Sequence, residues 1–244
     1  MLKHFGATVP TPCQYNFGVE SVKEAVVLAE TFTAVVLATL QDVVQLFAKN
    51  GDDGAARAVA SVIGQEGEQD GFYRILLARK PSQKPFLTTN VAPFAFSVLK
   101  TFIVPGSCDL SFIPVPTFPT LSVLTGHKGQ AVKPEDQDIT YTTDLGSSAA
   151  AKPFLNGNGA GLFLTLLSGQ DLPESAPIKN VTWSGTQITF SAAFPYTKLI
   201  ADGLSIASLT TSNNLTVANL ANSTLAAPGL IQVYDHVSSW DGII

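Results

Sequence analysis

The sequence is poor in charge: Asp, Glu, Lys and Arg together make up 14% of its 244 residues. Its basic residues do not cluster, so a nucleic-acid partner, which needs grouped Lys and Arg against phosphates, is excluded. A formal charge of -5 and a pI near 5.1 describe a mildly acidic surface. A membrane span is also missing. The longest apolar run, Ala25 to Leu40, is interrupted by Glu30 and falls short of the ~20 residues a bilayer helix requires, so it reads as a core helix. The first residues, MLKHFGATVPTP, contain no apolar stretch of signal-peptide type. Histidine is scarce. His4, His127 and His236 share no ligand spacing, which argues against a His-rich metal centre. His127 reads as a loop residue, and His236, near Asp235 and Asp241, as a structural histidine rather than a general base. No G-x-S-x-G elbow or phosphate-cradling loop occurs. The glycine-rich LNGNGAG at 155–161 lacks a P-loop lysine and reads as a turn.

What is present is apolar mass. Hydrophobic residues account for 45% of the chain, enough for a sizeable buried core. Two cysteines, Cys13 and Cys108, permit one intramolecular bridge. If they pair, the closed loop of roughly 95 residues contributes about 4 to 5 kcal/mol in the chain-entropy picture. Three segments beginning at Asn180, Asn214 and Asn222 match the N-glycosylation acceptor pattern. Together with the cysteines they lean the expected location towards secreted or cell wall.

The chain changes character near Pro81. Before it the pattern is helical. Ser21 precedes Val22-Lys23-Glu24, a capping box, so a helix is predicted to start there and run to about Lys49, where Asn50-Gly51 stops it. Asp52 or Asp53 caps a second helix that carries Ala55, Val59, Val62, Ile63, Phe72 and Leu76 and ends at Lys80-Pro81. The short connection makes the pair an antiparallel hairpin. Helices of roughly 26 to 28 residues, about 40 Å long, need other helices to bury them. After Pro81, Pro, Thr, Ser, Phe and Val dominate. FSVLKTFIV (96–104), LFLTLLS (162–168), NVTWSG (180–185), TQITFSAAF (186–194) and LIQVYDHV (230–237) read as strands, although FSVLKTFIV fits a buried helix equally well. The expected class is α+β: residues 1–105 as a helical hairpin with an N-terminal arm, and 106–244 as a β-sandwich-like domain. Trp183 and Trp240 read as core residues in preference to a sugar-stacking surface.

The segment IGQEGEQDGFYRILL (63–77) carries the candidate chemistry. Glu30 lies on the stripe of Val26, Val27, Ala34 and Leu37, and a buried carboxylate must be paired, hydrogen-bonded or metal-bound. Glu66 is expected at a similar height on the facing helix, and two inward carboxylates at one level are what a di-metal site uses. The bland alternative makes Glu68 and Asp70 a solvated face, with Asp70 and Arg74 an i,i+4 pair. Gly64, Gly67 and Gly71 line one face, and close packing of another backbone there would offset their helix-propensity cost of about 1 kcal/mol each.

Four features in order resemble the fungal ferritin-like proteins of stress response and late sexual development, which are similar to plant desiccation-related proteins. These are Cys13-Gln14-Tyr15-Asn16-Phe17, a helix with Glu30, a helix with Glu66-x-x-Gln69 and Arg74, and Val104-Pro105-Gly106-Ser107-Cys108. The resemblance covers most of the chain from about Gly6. It implies that the two helices are the third and fourth of a four-helix bundle, with Glu30 and Glu66 at the family's ligand positions and Gln69 in place of the histidine of E-x-x-H. It also implies that Cys13 and Cys108 are bridged. A neutral amide is a poor ligand for iron or manganese, and the first helix pair with its ligands is not in this sequence.

The leading expectation is therefore a non-enzymatic, secreted ferritin-like protein without a cofactor. In it the hairpin mediates homo-oligomerisation, as a dimer or with a chain supplying the missing half-bundle, and Gly64, Gly67 and Gly71 form the seam. A di-metal protein using iron or manganese, assembled between chains with Glu30, Glu66 and Gln69 as ligands, is the second reading. Polysaccharide or cell-surface binding by the β-domain is the third.

Overall fold

The computed structural model describes residues 6, 9, 11–126 and 131–233. His4, His127, His236, Asp235, Trp240 and Asp241 lie outside the described residues, as does the end of the LIQVYDHV segment.

Helix α1 spans Val22–Lys49 and α2 spans Asp53–Leu76. The Ser21 hydroxyl accepts from the Glu24 amide at 3.2 Å, as a capping box requires. The Glu24 carboxylate reaches back one residue further than expected, accepting from the Glu20 amide at 3.0 Å. At the other end of α1 the chain reverses through Asn50 and Gly51, and Gly51 sits at φ +76°, a left-handed conformation that favours glycine. Helix α2 then packs along α1. It ends earlier than Lys80-Pro81 predicts because Ala78 turns left-handed at φ +56°. The Arg79 amide donates to the Arg74 carbonyl at 2.8 Å and the Ala78 amide to that of Ile75 at 3.0 Å, the paired bonds of a Schellman stop.

Helix α3, Ala92–Phe102, occupies most of the FSVLKTFIV segment, so of the two readings of that segment the helix holds and the strand does not. Pro93 stands in its first turn, where a missing N–H costs nothing, and Phe94 and Ser97 are buried. The N-terminal arm lies along the end of α3. The Asn16 amide donates to the Phe102 carbonyl at 2.8 Å and the Val104 amide to that of Gln14 at 2.9 Å. The Cys13–Cys108 disulfide, with Cα atoms 4.8 Å apart, fastens the arm.

Among the described residues nine strands follow: β1 Ser122–Val123, β2 Ala131–Val132, β3 Gln137–Asp144, β4 Phe163–Leu167, β5 Glu174–Pro177, β6 Lys179–Ser184, β7 Gln187–Phe194, β8 Leu204–Thr210 and β9 Thr224–Val233. They form a four-stranded antiparallel sheet in the order β1-β3-β7-β6 and a five-stranded sheet in the order β2-β9-β8-β4-β5. Strand β2 pairs with β9 in parallel, and the other pairs among the described residues are antiparallel. The β6–β7 turn uses Gly185 at φ +62°, where the Ser184-Gly185 pair predicts it. Trp183 packs at the margin of the core, and its indole N–H donates to the Gly157 carbonyl at 2.7 Å.

Two apolar clusters result. Ile139, Tyr141, Ile188 and Phe190 of one sheet meet Leu164, Leu209, Ile231 and Val233 of the other. On the opposite face of the five-stranded sheet, Leu167, Leu204 and Ile206 meet Ala34, Val35 and Ala38 of α1 and Phe94 of α3. All seven residues of β8 are buried, because alternate side chains serve the two clusters. The chain is thus α+β, and α1 is covered in part by its own sheet. The helical and β portions share a core across the boundary expected at 105/106.

Candidate functional site: a buried charge cluster around Glu30

Helical periodicity puts Glu30 on the inward stripe of α1, and its side chain is wholly buried. An isolated carboxylate there would be prohibitively costly. Three elements supply its partners. From α2, the fully buried Arg74 donates through Nη1 to Oε1 at 2.9 Å, while its Nε donates to the Lys80 carbonyl. From the segment after α2, Arg79 donates through Nη1 to Oε2 at 3.1 Å. The left-handed turn at Ala78 swings Arg79 back against the helix pair, so the Schellman stop serves the charge pairing. From β9, the Gln232 amide donates to the same Oε2 at 3.3 Å, and the Thr31 hydroxyl adds a contact at 3.3 Å.

Asp70 sits at the edge of this cluster and is 4% exposed. Burial, and then the Glu30 charge, push its carboxyl up to about 6, against the smaller opposing effects of Gln83, Arg74 and Arg79. Its Oδ2 accepts from the Gln83 amide at 3.0 Å, and Gln83 Oε1 accepts from the Leu204 amide at 2.9 Å. Gly203 makes room for that bridge. A Cβ at this position would meet the Gln83 side chain at 2.3 to 2.6 Å, and φ is +73°. The same strap continues through Lys84, whose ammonium donates to Ser168 Oγ at 2.7 Å and is pushed down to about 8 by burial. Thr88 then donates to the Leu204 carbonyl. Residues 79–91 therefore tie α2 to the five-stranded sheet through side-chain hydrogen bonds.

The predicted site residues are dispersed relative to this centre. Glu30 is buried, but its charge is met by Arg74, Arg79 and Gln232, and the acid whose field reaches it is Asp70. Glu66, one turn before Asp70 on α2, and Gln69, the residue next to it, are half-buried. Asp70 is buried, not solvated as its acidic context leads one to expect, and Arg74 turns to Glu30. Among the described residues no three His, Cys, Asp or Glu side chains converge. A Cβ on Gly64 or Gly67 would meet nothing within 4 Å, so no described residue packs there, while a Cβ on Gly71 would meet the Pro81 carbonyl oxygen at 3.5 Å. Asn180, Asn214 and Asn222 are all exposed, and Asn180 holds a left-handed φ of +54° at the irregular start of β6.

Sequence reasoning missed Arg79, Gln83 and Gln232. The first two follow a helix end in a stretch that reads as a linker, and Gln232 sits in an apolar strand where alternation alone marks an inward polar residue. The signal that existed was negative: a buried Glu30 requires a cation, and Arg74 and Arg79 are the arginines that flank the end of the facing helix. The arrangement is an electrostatic clasp holding two helices and a strand together. Comparison of the chain with protein-family models and with curated proteins finds no match.

Proposed function

We propose that the chain is a secreted, non-enzymatic protein of ferritin-like build, in which α1 and α2 form half of a four-helix bundle completed by a second copy of the chain. The two sheets about their common core are read as a β-sandwich fused to that half-bundle. One observation carries the reading: of the 24 residues of α2, only Asp70 and Arg74 are buried. A helix of this length, packed against a single neighbour, leaves its outer side for other helices.

Along α2, Val62 and Phe72 are 44% and 58% exposed, and Gly64 and Gly67 are open. Glycines without neighbours let a second backbone approach closely, and burying each large apolar side chain supplies roughly 1.5 to 3 kcal/mol. A two-helix unit meeting its own copy about a two-fold axis gives four helices and a closed assembly. The two guanidiniums on Glu30 support a structural role for that carboxylate. The exposed Asn180, Asn214 and Asn222 and the disulfide are consistent with a secreted protein.

Native mass measurement at micromolar concentration tests the reading. A dimer is expected, reduced to monomer by Val62→Asp with Gly67→Arg, both at exposed positions. A wild-type monomer at 100 µM, or near-stoichiometric iron or manganese lost in Glu30→Ala, would overturn it.

A further inference from the structure

The glycine-rich stretch at 155–161 takes no part in the clasp around Glu30. It holds two of the chain's three Asn-Gly pairs, Asn156-Gly157 and Asn158-Gly159; the third is Asn50-Gly51 at the turn between α1 and α2. Such pairs are chemically labile, because a glycine nitrogen has no neighbouring Cβ to keep it from the asparagine side-chain carbon. In a folded chain the reaction is governed by what the two groups are already bonded to.

Two of the pairs are restrained. The Gly51 amide donates to the Ala48 carbonyl at 3.2 Å, and the Asn50 side-chain amide donates to the Leu46 carbonyl at 2.8 Å. The Gly157 amide donates to the Phe154 carbonyl at 3.1 Å. In both, a hydrogen bond has to break before the nitrogen attacks. Asn158-Gly159 differs. The Gly159 amide has no hydrogen-bond partner among the described residues, which is uncommon for a buried residue. Asn158 is exposed, and its Oδ1 accepts from the Ala160 amide at 3.0 Å. That bond closes a ring containing the Gly159 nitrogen, so the side chain is held against the group that attacks it. It also sets a donor on the oxygen where negative charge develops during attack.

We propose that Asn158 is a site of spontaneous deamidation, selected by the fold over Asn50 and Asn156. The Gly159 nitrogen gives its proton to solvent base and bonds to Asn158 Cγ. The Cγ–Nδ2 bond breaks, the departing nitrogen takes up a proton, and ammonia leaves a cyclic succinimide. Water opens the ring at either carbonyl, so the net change is asparagine and water to ammonia and aspartate or isoaspartate. Isoaspartate lengthens the main chain by one carbon directly after Gly157, whose carbonyl accepts from the Trp183 indole at 2.7 Å. The labile pair is fixed by packing: Gly159 sits at φ +85°, and a Cβ there would meet Val181 and Ile178 at 2.7 to 3.0 Å. The site is independent of the proposed assembly.

Incubation of the full chain at pH 8 and 37 °C, folded and in urea, followed by site-resolved peptide mass mapping, tests the assignment. In urea the three Asn-Gly pairs are expected to convert at similar rates. In the folded chain Asn158 is expected to convert at least five-fold faster than Asn50 or Asn156. Asn158→Gln, whose longer side chain closes its ring far more slowly, is expected to remove the fast phase of ammonia release. If Asn158→Gln does not fold, as circular dichroism would show, the site-resolved rates of the parent decide alone. Conversion at Asn50 or Asn156 as fast as at Asn158 in the folded chain, no conversion at Asn158, or an unchanged fast phase in folded Asn158→Gln would overturn the proposal.

Discussion

Arg74 and Glu30, 44 positions apart and on facing helices, meet at 2.9 Å with both side chains fully out of solvent. Such a pair contributes little net stability compared with apolar residues of the same volume, but breaking it strands a charge. Glu30→Gln removes the carboxylate that both buried guanidiniums meet, so a loss of about 3 to 5 kcal/mol is expected. Urea unfolding of the two proteins measures it. Added iron or manganese is expected to leave both midpoints unchanged.

Asp70 makes stability depend on pH. Its folded-state carboxyl titrates at about 6, above the ~3.9 of an unfolded Asp. The folded state therefore holds its proton longer, and the group's contribution is fully present below about pH 4 and lost as pH rises through about 6. Asp70→Asn should be more stable than the parent at pH 8 by about 2 kcal/mol, with the advantage gone at pH 4. Thermal unfolding at both values decides it; a pH-independent difference would refute the assignment.

Tyr141 stacks on Phe190 with ring centroids 5.5 Å apart, and its buried hydroxyl has no hydrogen-bond partner among the described residues. Burial alone holds that phenol far above its usual range. Tyr141→Phe keeps the ring and removes the stranded hydroxyl, so it should raise stability by about 1 kcal/mol. A lowered unfolding midpoint would contradict the packing described.

Gly203 leaves space that Gln83 fills. Gly203→Ala combines a left-handed backbone with a direct collision, and a loss of at least ~2 kcal/mol is expected. Hydrogen exchange should show the Leu204 amide losing protection before its β8 neighbours.

Local chemistry made much of the fold legible. The cap at Ser21, the stop at Asn50-Gly51, the β6–β7 turn at Ser184-Gly185 and the strands of the second half are all short-range signals. FSVLKTFIV stayed open between strand and helix because its Phe, Val and Ile favour strands in general, whereas Phe94 and Ser97 are buried by tertiary packing of a helix. The site was half legible. Glu30 stood out as an acid in an apolar stripe, but its partners are chosen by how the segment after α2 folds back, which no periodicity encodes. Glu66, aligned with Glu30 by counting residues from the turn, is one turn short of Asp70, whose field reaches Glu30.

The Gln232 contact to Glu30 spans 202 positions and the Gln83 contact to Leu204 spans 121. Loop closure over such distances precedes any reward from the contacts themselves. During synthesis the helix pair emerges long before β8 and β9 exist, so the clasp stays incomplete and α1 keeps an uncovered apolar face until the last strands arrive. The clasp around Glu30 therefore closes only after β8 and β9 have emerged, and a nascent chain arrested before residue 204 should remain protease-sensitive between α2 and α3.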